Sequence, residues 1–296
     1  MGIHGVGPVD SAGVIDTAMT LPDGRSLAYT DCGAPAGALV VYFHGAPTSR
    51  LDLAGLEESF SALGVRAVSP DRPGYGRSSP QAGRGFNDWG RDVAALADHL
   101  RVERFAVMGL SSGGPYAVAC AALLPERIIS AGVIAGVTDM GWPGAWEGYA
   151  QLEATLMRIG DEAAAVRWCE EHYGPDGSKF FEGVGELAPA DVALLEDETV
   201  ATGFFTTVSE AFHQGVGGFA QDITVQGRPW PFDPSLITAP TRVLHGQADT
   251  IVPIAHGRHT ADVIPSASLT AFPNHGHLSI ITEIPQLSAD LTDSLR

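Results

Sequence analysis

Apolar and polar positions along this chain follow two alternating rhythms. Short continuous runs of aliphatic and aromatic residues, at 38–43, 65–69, 104–108 and 128–137, read as strands covered on both faces. Between them lie stretches with helical spacing. The clearest passes through Phe86, Trp89, Val93, Leu96 and Leu100, with Asn87 or Asp88 available as its N-cap. Residues 51–63 predict a helix closed by Gly64, and an alanine-rich helix follows the 104–108 strand. Upstream, 18–32 predicts a hairpin turning at Pro22-Asp23-Gly24, and the glycine-rich residues before it read as a loose tail. Strands alternating with helices imply parallel β-α-β units in an α/β, doubly wound sheet. The functional edge of such a sheet lies at the C-terminal ends of its strands.

The rhythm breaks after Asp139. Gly141-Trp142-Pro143-Gly144 punctuates the chain, and the next stretch carries helical patterns at 151–159, 163–172 and 191–203 without a convincing strand. Gly215 to Gly218 and the proline-rich 228–234 mark the return to the sheet. Strands then follow at 241–245 and 268–272, with a closing helix from about Leu278. The expected organisation is an α/β core, 1–139 and 231–296, with a helical cap, 140–230, inserted after the sixth strand.

Composition narrows the class. With 296 residues, 45% hydrophobic and 18% charged, the chain is globular and long enough to bury a full core. Its net charge of −18 disfavours nucleic acid or an anionic membrane as partner. Cys32, Cys120 and Cys169 are widely spaced and form no metal-type pair, and Cys120 falls in an apolar helical run. Residues 1–17 lack the pattern of a signal peptide, and no apolar run approaches the length of a membrane span. A reduced, cytoplasmic protein acting on a small molecule is therefore expected. Oligomeric state has no signature in the sequence.

The candidate chemistry begins at Gly109-Leu110-Ser111-Ser112-Gly113, set between an apolar strand and a helix. With 36 glycines in the chain, the letters alone carry little weight; the strand-turn-helix setting carries more. A turn this tight strains the residue at its apex and demands small residues on either side. Ser111 at the apex is the candidate nucleophile, backed by the amide dipoles of the following helix. A serine nucleophile needs a base, and the base needs a carboxylate to orient it. The loop after the 241–245 strand offers Asp249, and the loop after 268–272 offers His277. The chain order Ser111, Asp249, His277 is that of α/β-hydrolases and not of chymotrypsin or subtilisin.

Five stretches carry a wider resemblance: His44-Gly45-Ala46-Pro47, Asp71-Arg72-Pro73-Gly74-Tyr75-Gly76, Gly109 to Gly113, His245-Gly246-Gln247-Ala248-Asp249, and Gly276-His277. Over about 20–140 and 230–296 the chain resembles a serine hydrolase of the α/β-hydrolase superfamily. The resemblance implies a mostly parallel sheet flanked by helices. It also implies an oxyanion hole formed by the backbone N–H groups of Ala46 and Ser112, with Asp71 and Tyr75 bracing the adjacent loop. The expected activity is hydrolysis of a carboxylic ester or lactone through an acyl-enzyme, on a medium-sized, largely hydrophobic substrate.

Rival assignments remain at each position. Ser112 lies off the apex. Asp139 ends the 128–137 strand, where some relatives of this fold carry their acid, and His275 neighbours His277. His44 reads as a loop-bracing residue. Trp142, Trp146, Phe204, Phe205 and Phe212 are the candidates for a substrate pocket, a few of them lining it, though packing the cap onto the core is the commoner use of such residues. His256 and His259, or His275 and His277, lack the companions of a metal site, and no Gly-Lys-Ser/Thr loop is present, so neither metal nor cofactor is expected. Proline-iminopeptidase-like cleavage, C–C bond hydrolysis and cofactor-free haloperoxidase chemistry share the same triad. A ligand receptor of the same fold is the non-enzymatic alternative.

Overall fold

The structure, a computed structural model, describes residues 14–183 and 185–293; the expected glycine-rich tail lies largely outside them. Among the described residues, eight strands form one sheet: β1 (Ile15–Thr20), β2 (Ser26–Gly33), β3 (Ala38–Phe43), β4 (Val65–Pro70), β5 (Phe105–Leu110), β6 (Ile128–Ile134), β7 (Thr241–Gly246) and β8 (Ala267–Phe272). Their order is β1-β2-β4-β3-β5-β6-β7-β8. The β1–β2 hairpin and the β2–β4 pair are antiparallel, and every other pair is parallel. Every residue of β5 and β6 is buried, which is why these strands read as unbroken apolar runs rather than alternating ones.

The helices of the α/β part are α1 (Glu57–Ala62), α2 (Phe86–His99) and α3 (Gly114–Leu123). Helices α4 (Gln151–Met157), α5 (Glu162–Tyr173), α6 (Pro189–Leu195), α7 (Glu198–Ala211) and α8 (Gly217–Gln226) form a helical segment between β6 and β7. The chain closes with α9 (Ile254–Val263) and α10 (Ile284–Thr292). Helices α1 and α10 cover one face of the sheet, with Phe60, Ile284, Leu287 and Leu291 against Val40, Ala106 and Met108. Helices α2, α3 and α9 cover the other, where Trp89, Val93, Tyr116 and Val118 meet Val41, Phe43 and Val107. A third apolar cluster lies outside the carboxyl ends of the strands. It joins Leu156, Tyr173, Phe212 and Phe219 of the helical segment to Tyr75, Val137 and Val252 of the strand-end loops.

Several boundaries differ from the sequence reading. Residues 51–63 are a 3-10 turn, Arg50–Leu53, and a separate α1, because Gly55 at φ +88° interrupts the run. The N-cap of α2 is Gly85, and Asp88 serves from the third position by accepting the Gly85 N–H at 2.8 Å. The expected 191–203 helix is two helices, since Asp197 caps a fresh start by accepting from Thr199 and Val200. The glycines at 215–218 open α8 instead of returning the chain to the sheet. Among the described residues, no helix is long and apolar enough to cross a membrane.

Candidate active site

The strand order reverses between β3 and β5, so the loops leaving their carboxyl ends diverge and open a crevice there. Ser111 sits at that point, between β5 and α3, with φ +52°. A side chain is strained in this left-handed region by about 1–3 kcal/mol. The turn can close only because its flanks lack side chains. A Cβ on Gly109 would stand 2.1 Å from the Gly113 carbonyl oxygen, and one on Gly113 would stand 2.0 Å from that of Phe43. The loop after β3 lies against the same residue, since a Cβ on Gly45 would fall 3.7 Å from Ser111 Cβ.

Ser111 Oγ is 3.0 Å from His277 Nε2, and His277 Nδ1 is 2.8 Å from Asp249 Oδ2. The Asp249 side chain is fully buried, and its other oxygen accepts the N–H groups of Ile251 and Val252 at 2.9 and 2.8 Å. Burial alone would push this carboxyl up. The neighbouring His277 and the hydrogen bonds from His245 and His277 outweigh it and hold the group well below the usual carboxylate range. For His277, burial disfavours the imidazolium, but Asp249, and behind it Asp191 and Glu153, turn the net shift upward. With Asp249 ionised, Nδ1 carries the proton and Nε2 is left to accept from Ser111.

The loop 44–47 is held by buried charge. Arg72 N–H donates to His44 Nε2 at 3.1 Å, so the His44 proton sits on Nδ1 and is given to the Gly45 carbonyl at 2.7 Å. The Arg72 guanidinium donates to the carbonyl oxygens of both His44 and Gly45. Burial and the nearby Arg72 keep His44 neutral, well below the ordinary histidine value. Asp52 accepts from Gly45 N–H, Thr48 and Tyr42 on this side and from Thr207 of α7 on the other. Asp71 accepts from Arg50 N–H, the Arg50 guanidinium and Arg77 N–H, while Tyr75 donates to Asp222 and packs edge-on to His44. Both are bracing residues.

The rival residues lie elsewhere. Asp139 Oδ1 accepts the N–H of Gly141 at 2.8 Å and of Trp230 at 3.1 Å, where the helical segment leaves and rejoins the sheet. His275 faces Glu283 at 3.6 Å and Phe272. His256 and His259 brace the loop after β6 through Thr138 and Ala145, and their charged forms are disfavoured by burial.

The five aromatic residues read as pocket candidates do not converge. Phe205 points outward and is 55% exposed, resting on Phe181. Phe212 is buried inside the helical segment against Phe180 and Phe219. Trp142 stacks on His259 at 4.2 Å; Trp146 donates to the Met140 carbonyl beneath Arg158; Phe204 meets Phe181. Helix α7 turns Phe205 away from the core while its end carries Phe212 inward, and Trp142, Trp146 and Phe204 lie half-buried against the third apolar cluster.

Two carboxylates of the helical segment lie at this edge, and the first has no signal in the sequence. Asp191 of α6 is fully buried and accepts the His277 N–H at 2.8 Å, and Ser279 N–H and Oγ–H at 2.8 and 2.7 Å. Glu153 of α4 acts electrostatically on His277, and burial raises its carboxyl. An aspartate after a helix-opening proline reads as ordinary capping chemistry. Only the fold shows what it reaches.

Comparison with known proteins bears on the fold that carries this arrangement. A Streptomyces lividans non-heme chloroperoxidase is 27% identical over 92% of this chain and 97% of its own length. An Acinetobacter calcoaceticus bifunctional esterase/perhydrolase is 25% identical over 94% and 99%. An esterase from Exiguobacterium antarcticum superposes with a TM-score of 0.71, covering 95% of this chain and 99% of that one at 18% identity. Residues 38–284 match the alpha/beta hydrolase fold family, and the chain belongs to that family.

Proposed function

We propose that the protein is a serine hydrolase cleaving a carboxylic ester or lactone, and that the segment between β6 and β7 is its cap. One observation carries the reading: the unbroken line from Ser111 Oγ through His277 to Asp249, with donor–acceptor distances of 3.0 and 2.8 Å. Ser111 Oγ attacks the substrate carbonyl as its proton passes to His277 Nε2, and ionised Asp249 stabilises the imidazolium. The N–H groups of Ala46 and Ser112 receive the oxyanion, each worth roughly 3 kcal/mol in a dry site. Collapse expels the alkoxide, which takes the proton from His277. Water then gives a proton to His277 and attacks the acyl carbonyl, and the acid leaves as Ser111 recovers its proton. A largely hydrophobic substrate is favoured by Ala46 and Ile251, half-buried beside the triad loops and continuous with the apolar cluster of the cap. The esterase/perhydrolase relative agrees with this choice of bond.

A second reading, cleavage of aminoacyl substrates, is favoured by Glu153, a cap carboxylate able to attract a free amine near His277. The two are separated by offering p-nitrophenyl esters, lactones and aminoacyl anilides to the wild type and to Asp249→Asn and Asp139→Asn. Esters or lactones are expected to be the better substrates. Asp249→Asn is expected to lower kcat by up to about 10⁴-fold, because the amide favours the wrong tautomer. Asp139→Asn should change it by no more than a few-fold. Absence of ester and lactone turnover, or a larger loss in Asp139→Asn, would refute the reading; a preference for anilides would transfer it to the amine-bearing class.

The raised His277 value sets the pH dependence. Protonated imidazole cannot accept from Ser111, so kcat/KM is expected to fall as pH drops through the His277 pKa. That midpoint should lie above the ordinary histidine value of ~6.5. An acid limb at or below it in a pH–rate profile would contradict the electrostatic setting described.

A further inference from the structure

The catalytic reading assigns Asp249 to the ring of His277 and leaves the backbone of its loop unexplained. That loop follows β8, and its local bonds, from His275 N–H to the Phe272 carbonyl and from Ala248 N–H to the His275 carbonyl, stop short of the His277 N–H. The restraint comes from the cap. Asp191 Oδ2 accepts His277 N–H at 2.8 Å, and Oδ1 accepts both Ser279 N–H and Ser279 Oγ–H at 2.8 and 2.7 Å. Ser279 Oγ in turn accepts Gly276 N–H at 2.8 Å. One carboxylate therefore gathers the N–H groups of 276, 277 and 279, directly or through one hydroxyl. The approach is so close that a Cβ on Gly276 would stand 2.3 Å from Asp191 Oδ2. Charge-assisted bonds to a fully buried carboxylate are among the stronger ones available to a loop.

We propose that Asp191 is a positioning residue, carried by the cap, that sets the His277 loop for its contacts with Ser111 and Asp249. The inference rests on the triad reading above. It ties two parts of the molecule together: helix α6, through Asp191, holds the loop that carries the base. With α6 displaced, the loop loses its anchor and the reacting atoms lose their alignment. Displacement of about 1 Å at such a site costs on the order of 100-fold in rate. Asp191 also adds negative charge close to the imidazole. The charged groups facing His277 are Asp249 from the loop after β7, Asp191 from α6 and Glu153 from α4, and all three favour its protonated form.

The test compares wild type, Asp191→Asn and Ser279→Ala by two measurements. The first is the kcat, KM and pH–rate profile on a p-nitrophenyl ester. Asp191→Asn is expected to lower kcat by about 10–100-fold with little change in KM, and to move the acid limb to lower pH. Ser279→Ala, which leaves the Asp191 charge in place, should lower kcat less and leave the acid limb where it is. The second, independent of turnover, is NMR of the His277 Nδ1 proton and a titration of its ring. In Asp191→Asn the low-field proton bridging to Asp249 should weaken or vanish, and the ring pKa should fall. An unchanged bridging proton and unchanged ring pKa in Asp191→Asn overturn the proposal, as does a loss confined to thermal stability. If the wild type shows no ester turnover, the triad reading fails, and the NMR comparison still decides whether Asp191 positions His277.

Discussion

Ser111→Ala is expected to lower ester turnover by about 10⁴–10⁶-fold and to abolish labelling by a fluorophosphonate. The size follows from the cooperative action of the three side chains. Without Oγ, His277 has no proton to take, Asp249 has no imidazolium to stabilise, and only binding and the N–H donors of Ala46 and Ser112 remain. Stability should be almost unaffected. Alanine at this position, φ +52°, is as strained as serine, and the lost hydroxyl gives up one hydrogen bond. Ser112→Ala is the matching control. Its backbone N–H is preserved, so labelling and turnover should persist within a few-fold. Mass spectrometry of the labelled protein gives the site directly. Adduct on Ser112, or undiminished labelling of Ser111→Ala, would displace Ser111 from its role.

The second large effect concerns stability. Asp222 of α8 is fully buried and receives Arg72 at 2.9 Å, Arg84 at 2.8 Å, Tyr116 at 2.6 Å and Tyr75 at 3.2 Å. Burial opposes its ionisation, but the two guanidinium groups outweigh that and hold its carboxyl far below the usual range. Asp222→Ala leaves both cations buried without their counter-charge. Breaking a buried pair in this way costs roughly 3–5 kcal/mol, which for a chain of this size lowers Tm by about 5–8 °C. The stabilisation belongs to a depressed carboxylate. It is complete above the unfolded value of ~3.9 and is lost only as pH falls toward the native one, so a thermal melt at pH 7 reads the whole of it. Arg72 also holds the 44–47 loop, so residual activity should fall alongside. A Tm within ~2 °C of wild type would show that the charges are relieved by water or by rearrangement.

How much of this was legible beforehand depended on the range of each interaction. Strands β3, β5, β6 and β7 were readable because burial on both faces writes itself into consecutive residues. The expectation that Ser111, Asp249 and His277 share one sheet edge needed only strand-end positions and chain order. Helices α6 to α8 were harder. A cap aspartate at 197 splits what hydropathy joins, and α8 begins in glycines whose freedom is taken up by close approach, Gly218 lying against the Gly74 carbonyl. The aromatic residues of the segment were ambiguous, since ring size marks either a pocket or an interior, and Phe212 belongs to an interior. Asp191 and Asp222 were beyond reach for a different reason. Their partners are side chains and N–H groups far away in the chain, and no local pattern encodes such a meeting.

Asp139 has a bearing on chain length. Its one oxygen holds the N–H of Gly141 and that of Trp230, so the two ends of the intervening stretch are closed like a purse at a single knot on the sheet. Once the mouth is tied, the entropy of closing what hangs from it depends only weakly on how much chain is there, about 0.6 kcal/mol for each doubling of length. Growth or shrinkage of that stretch therefore costs the sheet little so long as the residues that reach back into the core, Asp191, Thr207 and Asp222, keep their places.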